Sequence, residues 1–155
     1  MIKLHICAVG KLKEAFWRDA VEEYRKRIRK YGSLTVTEVG EAPDNGPSHA
    51  NAQKSAEAEQ ILKKCKGYTV LLDLAGKSLT SEEFAEILQD KSVNGVSEFT
   101  FIIGGSRGVS ETVRNSADLV VSFGRVTYPH QLMRVILAEQ LYRALTILHH
   151  TGYHK

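Results

Sequence analysis

Four stretches of this 155-residue chain combine residue types and spacings that could do chemistry. In LLDLAGKS a Gly-Lys-Ser triplet (Gly76, Lys77, Ser78) follows an apolar run, as in a phosphate-binding loop, but that motif needs a glycine where Leu71 stands. Without it the turn that cradles phosphates is not specified. IIGGSRGV places Gly104, Gly105 and Gly108 in a GGxxG rather than a GxGxxG pattern, so it reads as a tight turn that a planar or backbone-hugging ligand could approach. His149, His150 and His154 cluster near the C-terminus, but Gly152 interrupts the helix that an i, i+4 ligand pair would need, and no Glu stands beside them; no metal site is expected. The fourth stretch, FGRVTYPHQLMRV (Phe123 to Val135), crowds a Gly, a Pro, a His and two Arg at the entrance to a strongly apolar helical segment.

Charge adds a candidate partner surface. Residues 1–31 hold nine Lys/Arg against four acids, a net +5, leaving −2 for the remainder. Arg25, Lys26 and Arg29 on a helical segment could meet a phosphate backbone or be a solvated face. Trp17, Tyr24 and Tyr31 fall on the apolar stripe of the same segment and read as core rather than as a base-stacking platform.

The elements that must position these residues are legible from periodicity. Lys3 to Val9 reads as a strand, followed by a helix with apolar residues at Trp17, Ala20, Val21, Tyr24, Ile28 and Tyr31, which Gly32 is expected to end. Leu34–Val39 alternates as a strand, GEAPDNGPSHAN is a loop, and a weaker helix runs from about residue 51 to 66, stopped by Gly67. Tyr68–Leu74 and Glu98–Ile103 are near-continuous apolar runs, the pattern of strands covered on both faces. Thr80 and Glu83 form a capping box for a helix carrying Phe84, Ile87 and Leu88. A short helix or turn at residues 111–116 precedes a strand at 119–123. The last helix starts near Pro129 or His130, with Thr127 placed to cap it.

Alternating strands and helices imply a mostly parallel α/β sheet with helices on both faces, in one domain spanning residues 1–155. In such sheets ligands sit beyond the carboxyl ends of the strands. Three strand exits carry the informative residues: 72–76, 104–108 and 123–130. The last helix carries Leu132, Met133, Val135, Ile136, Leu137, Leu141, Tyr142, Leu145 and Leu148 around most of its circumference, more than one sheet face can bury, so a two-fold homodimer is expected. Cys7 and Cys65 stand apart with no CxxC, as expected of reduced thiols. No secretory signal and no apolar run of membrane-spanning length is seen, so the expected location is cytoplasmic, with no membrane partner.

AVGKLKE, LDLAGK, FIIGGSRGV, TYPHQLMRVILAEQLYRA and a terminal YHK, in that order, resemble the RlmH family of SPOUT-class methyltransferases along the whole chain. The resemblance implies an α/β fold with a C-terminal trefoil knot, a homodimer, and S-adenosylmethionine-dependent methylation of N3 of a pseudouridine in 23S rRNA within the large subunit or the 70S ribosome. By position it implies that Leu72, Gly104, Gly105, Phe123, Gly124, Arg125, Val126, Thr127 and Tyr128 enclose the cofactor. His130, Arg143, Tyr153 and His154 become the catalytic candidates, with Arg134 a further cation for an anionic base. Gly152 is expected to turn the tail toward a cofactor pocket, that of either subunit. A related enzyme with another target nucleotide, or a non-catalytic dimeric ribosome-binding protein, are the rival readings.

Overall fold

The computed structural model describes residues 1–155. In chain order it contains β1 (Ile2–Val9), α1 (Ala15–Ile28), β2 (Gly32–Val39), a 3-10 turn at Pro47–His49, α2 (Ala50–Lys64), β3 (Tyr68–Ser78), α3 (Ser81–Val93), β4 (Glu98–Ile103), α4 (Glu111–Ser116), β5 (Leu119–Ser122) and α5 (His130–Leu148). The sheet order is β2-β1-β4-β3-β5 and all four pairings are parallel. The expected fold class therefore holds, with no antiparallel strand.

Two-residue alternation sorts the sheet into two cores. Leu4, Ile6 and Ala8 of β1 face α1, α3 and α5, where they join Ile28, Phe84, Leu88, Leu137 and Leu141. Cys7 and Val9 face α2 and α4 and pack with Ala58, Ile61 and Val113. Burial pushes the Cys7 thiol up to about 12, so it stays a neutral hydrophobe, and both cysteines are free. Tyr24 and Tyr31 pack against Tyr142 of α5, with ring centroids 6.3 and 6.4 Å apart, as core aromatics. Thr80 and Glu83 form the expected capping box of α3.

Three expectations about chain punctuation are corrected. Gly32 does not end α1 through a left-handed turn; it is the first residue of β2, and a Cβ there would run into the Ile2 carbonyl, so close strand approach requires the glycine. Thr127 caps nothing: Pro129 occupies the N-cap of α5, and its carbonyl accepts from the Met133 amide at 2.9 Å. Gly152 is not the pivot of the tail. His150 takes the left-handed conformation (φ 53°), and the amides of His150 and Thr151 bond back to the carbonyls of Ile147 and Thr146. That pair of bonds is a Schellman motif with histidine where glycine usually stands.

Candidate functional site

The exits of β3, β4 and β5 converge on one cavity of about 300 Å³. Its walls are Leu72, Asp73 and Leu74 from β3, Gly104 to Ser106 and Gly108 after β4, Phe123, Gly124 and Val126 to Tyr128 after β5, and His130 and Met133 of α5. All three strand exits singled out by the pattern thus meet in space.

Each wall has a local cause. β3 pairs with β5 through Val70–Leu72 and again at Lys77–Ser78, and Val121 is partnered by both Leu72 and Lys77. The intervening residues loop outward and rim the cavity. Asp73 anchors this loop, accepting from the Ala75 amide at 2.8 Å and from Arg114 Nη2 at 2.6 Å. Gly76 lies flat on β5: a Cβ there would stand 2.6 Å from the Val121 carbonyl carbon.

In the second wall, Gly105 and Gly108 bridge each other and fold the turn back on itself, Gly108 having φ +82°. A Cβ on Gly104 would meet Val109 Cγ1 at 2.6 Å, and one on Gly105 would meet Glu57 Oε1 at 2.7 Å. At Gly104 the buried Val109 behind the cavity leaves no room for a Cβ, whereas at Gly105 the neighbour is the end of the Glu57 side chain, which can shift. In the third wall, Ser122 staples the loop: its hydroxyl donates to the Gly124 carbonyl (2.8 Å) and accepts the Gly124 amide (3.2 Å). Phe123 is fixed edge-on against Phe84, 5.8 Å between centroids.

Glu57 lies buried behind Gly105 and accepts the Ala42 amide at 3.0 Å. Burial pushes its carboxyl up, while the Ala42 hydrogen bond pulls it down. Asp44, held below the usual carboxylate range by the Gly46 amide and by Arg107 at 3.2 Å, ties the proline-rich loop to the Gly104–Gly108 turn. The cavity thus has rigid backs to its glycine walls and an apolar mouth, where Leu74 (57%) and Val126 (60%) stand exposed.

Of the residues proposed around the cofactor, eight line this cavity: Leu72, Gly104, Gly105, Phe123, Gly124, Val126, Thr127 and Tyr128. Arg125 is exposed and does not line it. Gly108, which the pattern placed in a turn open to a ligand, lines it too, and so do Asp73, Leu74, Ser106 and Met133, which were not singled out. The catalytic candidates divide. His130 is in the cavity wall, but Arg143 of α5 and Tyr153 and His154 of the tail after it form a separate network. Arg143 lies thirteen residues after His130 on this helix, about 20 Å along it.

That network is tightly satisfied. Arg143 donates twice to Glu139 Oε1 (2.9 and 2.6 Å), to which Tyr153 Oη also donates at 3.2 Å. His154 sits between Arg143 Nη1 (3.1 Å) and Glu82 Oε1 (2.6 Å). The Tyr153 ring stands edge-on to Tyr142 at 4.8 Å and under the Arg143 guanidinium at 4.8 Å. Burial and the Glu139 carboxylate push the Tyr153 phenol up, so it serves as a donor and not as a base near neutral pH. Arg134 is also removed from the pool of free cations: its side chain is 3% exposed and paired with Glu38 at 2.6 Å.

Residues 2–154 match the family model described as "Predicted SPOUT methyltransferase". The chain is 47% identical over 159 residues to the ribosomal RNA large subunit methyltransferase H of Carboxydothermus hydrogenoformans, covering 99% of this chain and all of that one. It is 43% identical, with the same coverage, to the protein of that name from Streptococcus pneumoniae strain CGSP14. Among solved structures, one described as "a probable methylase family protein from Haemophilus influenzae Rd KW20" superimposes with a TM-score of 0.51 at 14% identity, over 99% of this chain and 70% of that chain, a likeness of fold alone.

Proposed function

The chain belongs to the SPOUT methyltransferase family, and on that premise we propose that it methylates N3 of a pseudouridine in 23S rRNA on the assembled ribosome, in the cytoplasm, as a homodimer. The observation that carries this reading is the convergence of the three strand exits on a single cavity. The cavity suits the adenosine part of S-adenosylmethionine: it has apolar walls at Leu72 and Val126, and Gly108 and Gly124 whose missing Cβ atoms face open space. Adenine edges can be read there by main-chain amides and carbonyls. A C-terminal trefoil knot accounts for Gly76 lying flat on β5 and for α5 leaving directly from the cavity.

When bound, S-adenosylmethionine supplies an electrophilic methyl group on a sulfonium. The chain must hold the acceptor nitrogen in line with that methyl, exclude water and take up the N3 proton. His130 is the imidazole in the cavity wall and receives this proton as the nitrogen–methyl bond forms. Within one protomer Arg143 is too far along α5 to assist, and Tyr153 and His154 are bound to its far end. A two-fold dimer through the half-buried Leu132, Val135 and Ile136 of α5 brings the tail network of one subunit to the cavity of the other. There Arg143 steadies the anionic base with the Nη hydrogens that Glu139 and His154 leave free, and Tyr153 stacks on it or turns its hydroxyl to it from Glu139.

Two measurements test this reading. Mass spectrometry of 23S rRNA, with and without the enzyme, should find one added methyl on a pseudouridine when ribosomes are the substrate; methylation of free tRNA instead would sink it. Mixing His130→Ala subunits with subunits truncated after Gly152 should restore roughly a quarter of wild-type activity, because half of the dimers are mixed and each holds one complete site. No restoration would place both functions within one subunit.

A further inference from the structure

A buried arginine holds an exposed lysine loop in place. Residues 10–13, Gly-Lys-Leu-Lys, leave β1 beside the cavity: Val9 packs against Gly105, its Cγ1 3.2 Å from where a Gly105 Cβ would stand. Arg134, one helical turn after His130, donates to Glu38 Oε2 at 2.6 Å and to the Gly10 carbonyl at 3.3 Å. The same Glu38 oxygen accepts the Leu12 amide at 3.0 Å, and Arg18 donates to the carbonyls of Leu12 and Lys13. Four hydrogen bonds therefore end on a four-residue loop, with the Arg134–Glu38 pair behind them, and one of the donors is a guanidinium withdrawn almost wholly from water. Burying a charge is costly, and a merely solvated loop needs no such support.

What the brace presents is Lys11 and Lys13, both exposed and neither within ion-pair distance of a carboxylate. Neither lines the cavity, so they are not placed for the amino-acid carboxylate of the cofactor. An enzyme that acts on a base extrudes it from its stack, which leaves the flanking phosphates at the rim of the pocket. We infer that Lys11 and Lys13 form a phosphodiester-binding site beside the cavity that registers the target nucleotide, and that Arg134 and Glu38 are its positioning residues. This rests on the proposed rRNA substrate.

The test is co-sedimentation with purified large ribosomal subunits over a range of salt, alongside calorimetric titration with S-adenosylmethionine. K11A/K13A should bind subunits roughly tenfold more weakly, and its log affinity against log salt slope should fall by about 1.4 to 1.8, the value of two lost phosphate contacts, with cofactor affinity within twofold of wild type. R134K, which keeps the charge but loses the fork, and the milder E38Q should lower the slope with both lysines present; a purely structural role would lower the melting temperature and leave the slope alone. Unchanged subunit affinity and slope in K11A/K13A would overturn the inference, as would a loss confined to cofactor affinity. Wild-type protein that binds subunits but leaves their rRNA unmethylated would refute the proposed reaction and not this site.

Discussion

The structure assigns Gly104 a reason that can be separated from ligand binding. Gly104→Ala would set its new methyl 2.6 Å from Val109 Cγ1, inside any tolerable contact, and 3.2 Å from the Gly108 backbone, which can relax by a few tenths of an ångström. Val109 is 8% exposed, so the collision occurs in a filled core and should cost about 1–3 kcal/mol as overpacking. Because Gly108 lines the cavity, the displaced turn should also weaken S-adenosylmethionine binding. Val109→Ala removes the offending methyls, at a cost of roughly 1.5 kcal/mol in lost burial. The double variant should therefore be more stable than the sum of the singles predicts, by about 1–2 kcal/mol, and should recover cofactor affinity to within a few-fold. Urea unfolding gives the first quantity and calorimetric titration the second. If the two substitutions add within about 0.5 kcal/mol, the clash with Val109 is not the cause. If stability couples but affinity stays lost, the space in front of Gly104 is needed by the ligand itself.

Three further outcomes follow from other parts of the molecule. His150→Gly should raise stability by about 0.5–1 kcal/mol, because glycine occupies the left-handed turn without the Cβ penalty; a lower melting temperature would mean that the imidazole itself holds the turn. Charge reversal at Arg25, Lys26 and Arg29 should weaken ribosome association and flatten its salt dependence without changing cofactor affinity, and an unaltered slope would reduce this surface to a solvated face paired with Glu22. The His154 hydrogen bond holds the Glu82 carboxyl below its ordinary range, so its stabilisation of the docked tail is present above that range and is lost as pH falls through the lowered value. Hydrogen-exchange protection at residues 151–155, taken relative to the intrinsic rate at each pH, should fall on acidification in wild type and much less in Glu82→Gln; an equal fall in both would exclude this contact.

Strands, faces and the three exits were legible because each rests on local pattern: apolar runs at β3 and β4, a capping box at Thr80, glycines where the chain leaves the sheet. Where long-range geometry decides, the pattern was silent or misleading. Nothing near Gly32 in sequence announces the Ile2 carbonyl, and a glycine after a helix naturally reads as a cap. At the other end of the chain Gly152 drew the pivot away from His150, whose left-handed turn is fixed by two backbone hydrogen bonds that no residue type reveals. Arg134 looked like a free cation because its partner Glu38 is 96 residues away. The separation of His130 from Arg143 could be read in outline from helix length, but the lock of Glu139 on both Arg143 and Tyr153 could not.

The placement of β1 inside the sheet, between β2 and β4, sets a timetable for synthesis. Its partner β2 follows directly, but the other edge of β1 pairs with β4, and the His5–Glu98 contact spans 93 residues. At about 5–20 residues per second the nascent chain carries one open, apolar strand edge for roughly 5–20 s before that partner is made. β5 and α5 arrive later still, and α5 completes the core beneath α1 and α3. Most of the native contacts are non-local, and folding should therefore be slow, with chaperone protection of the β1–β2 unit most useful in that interval.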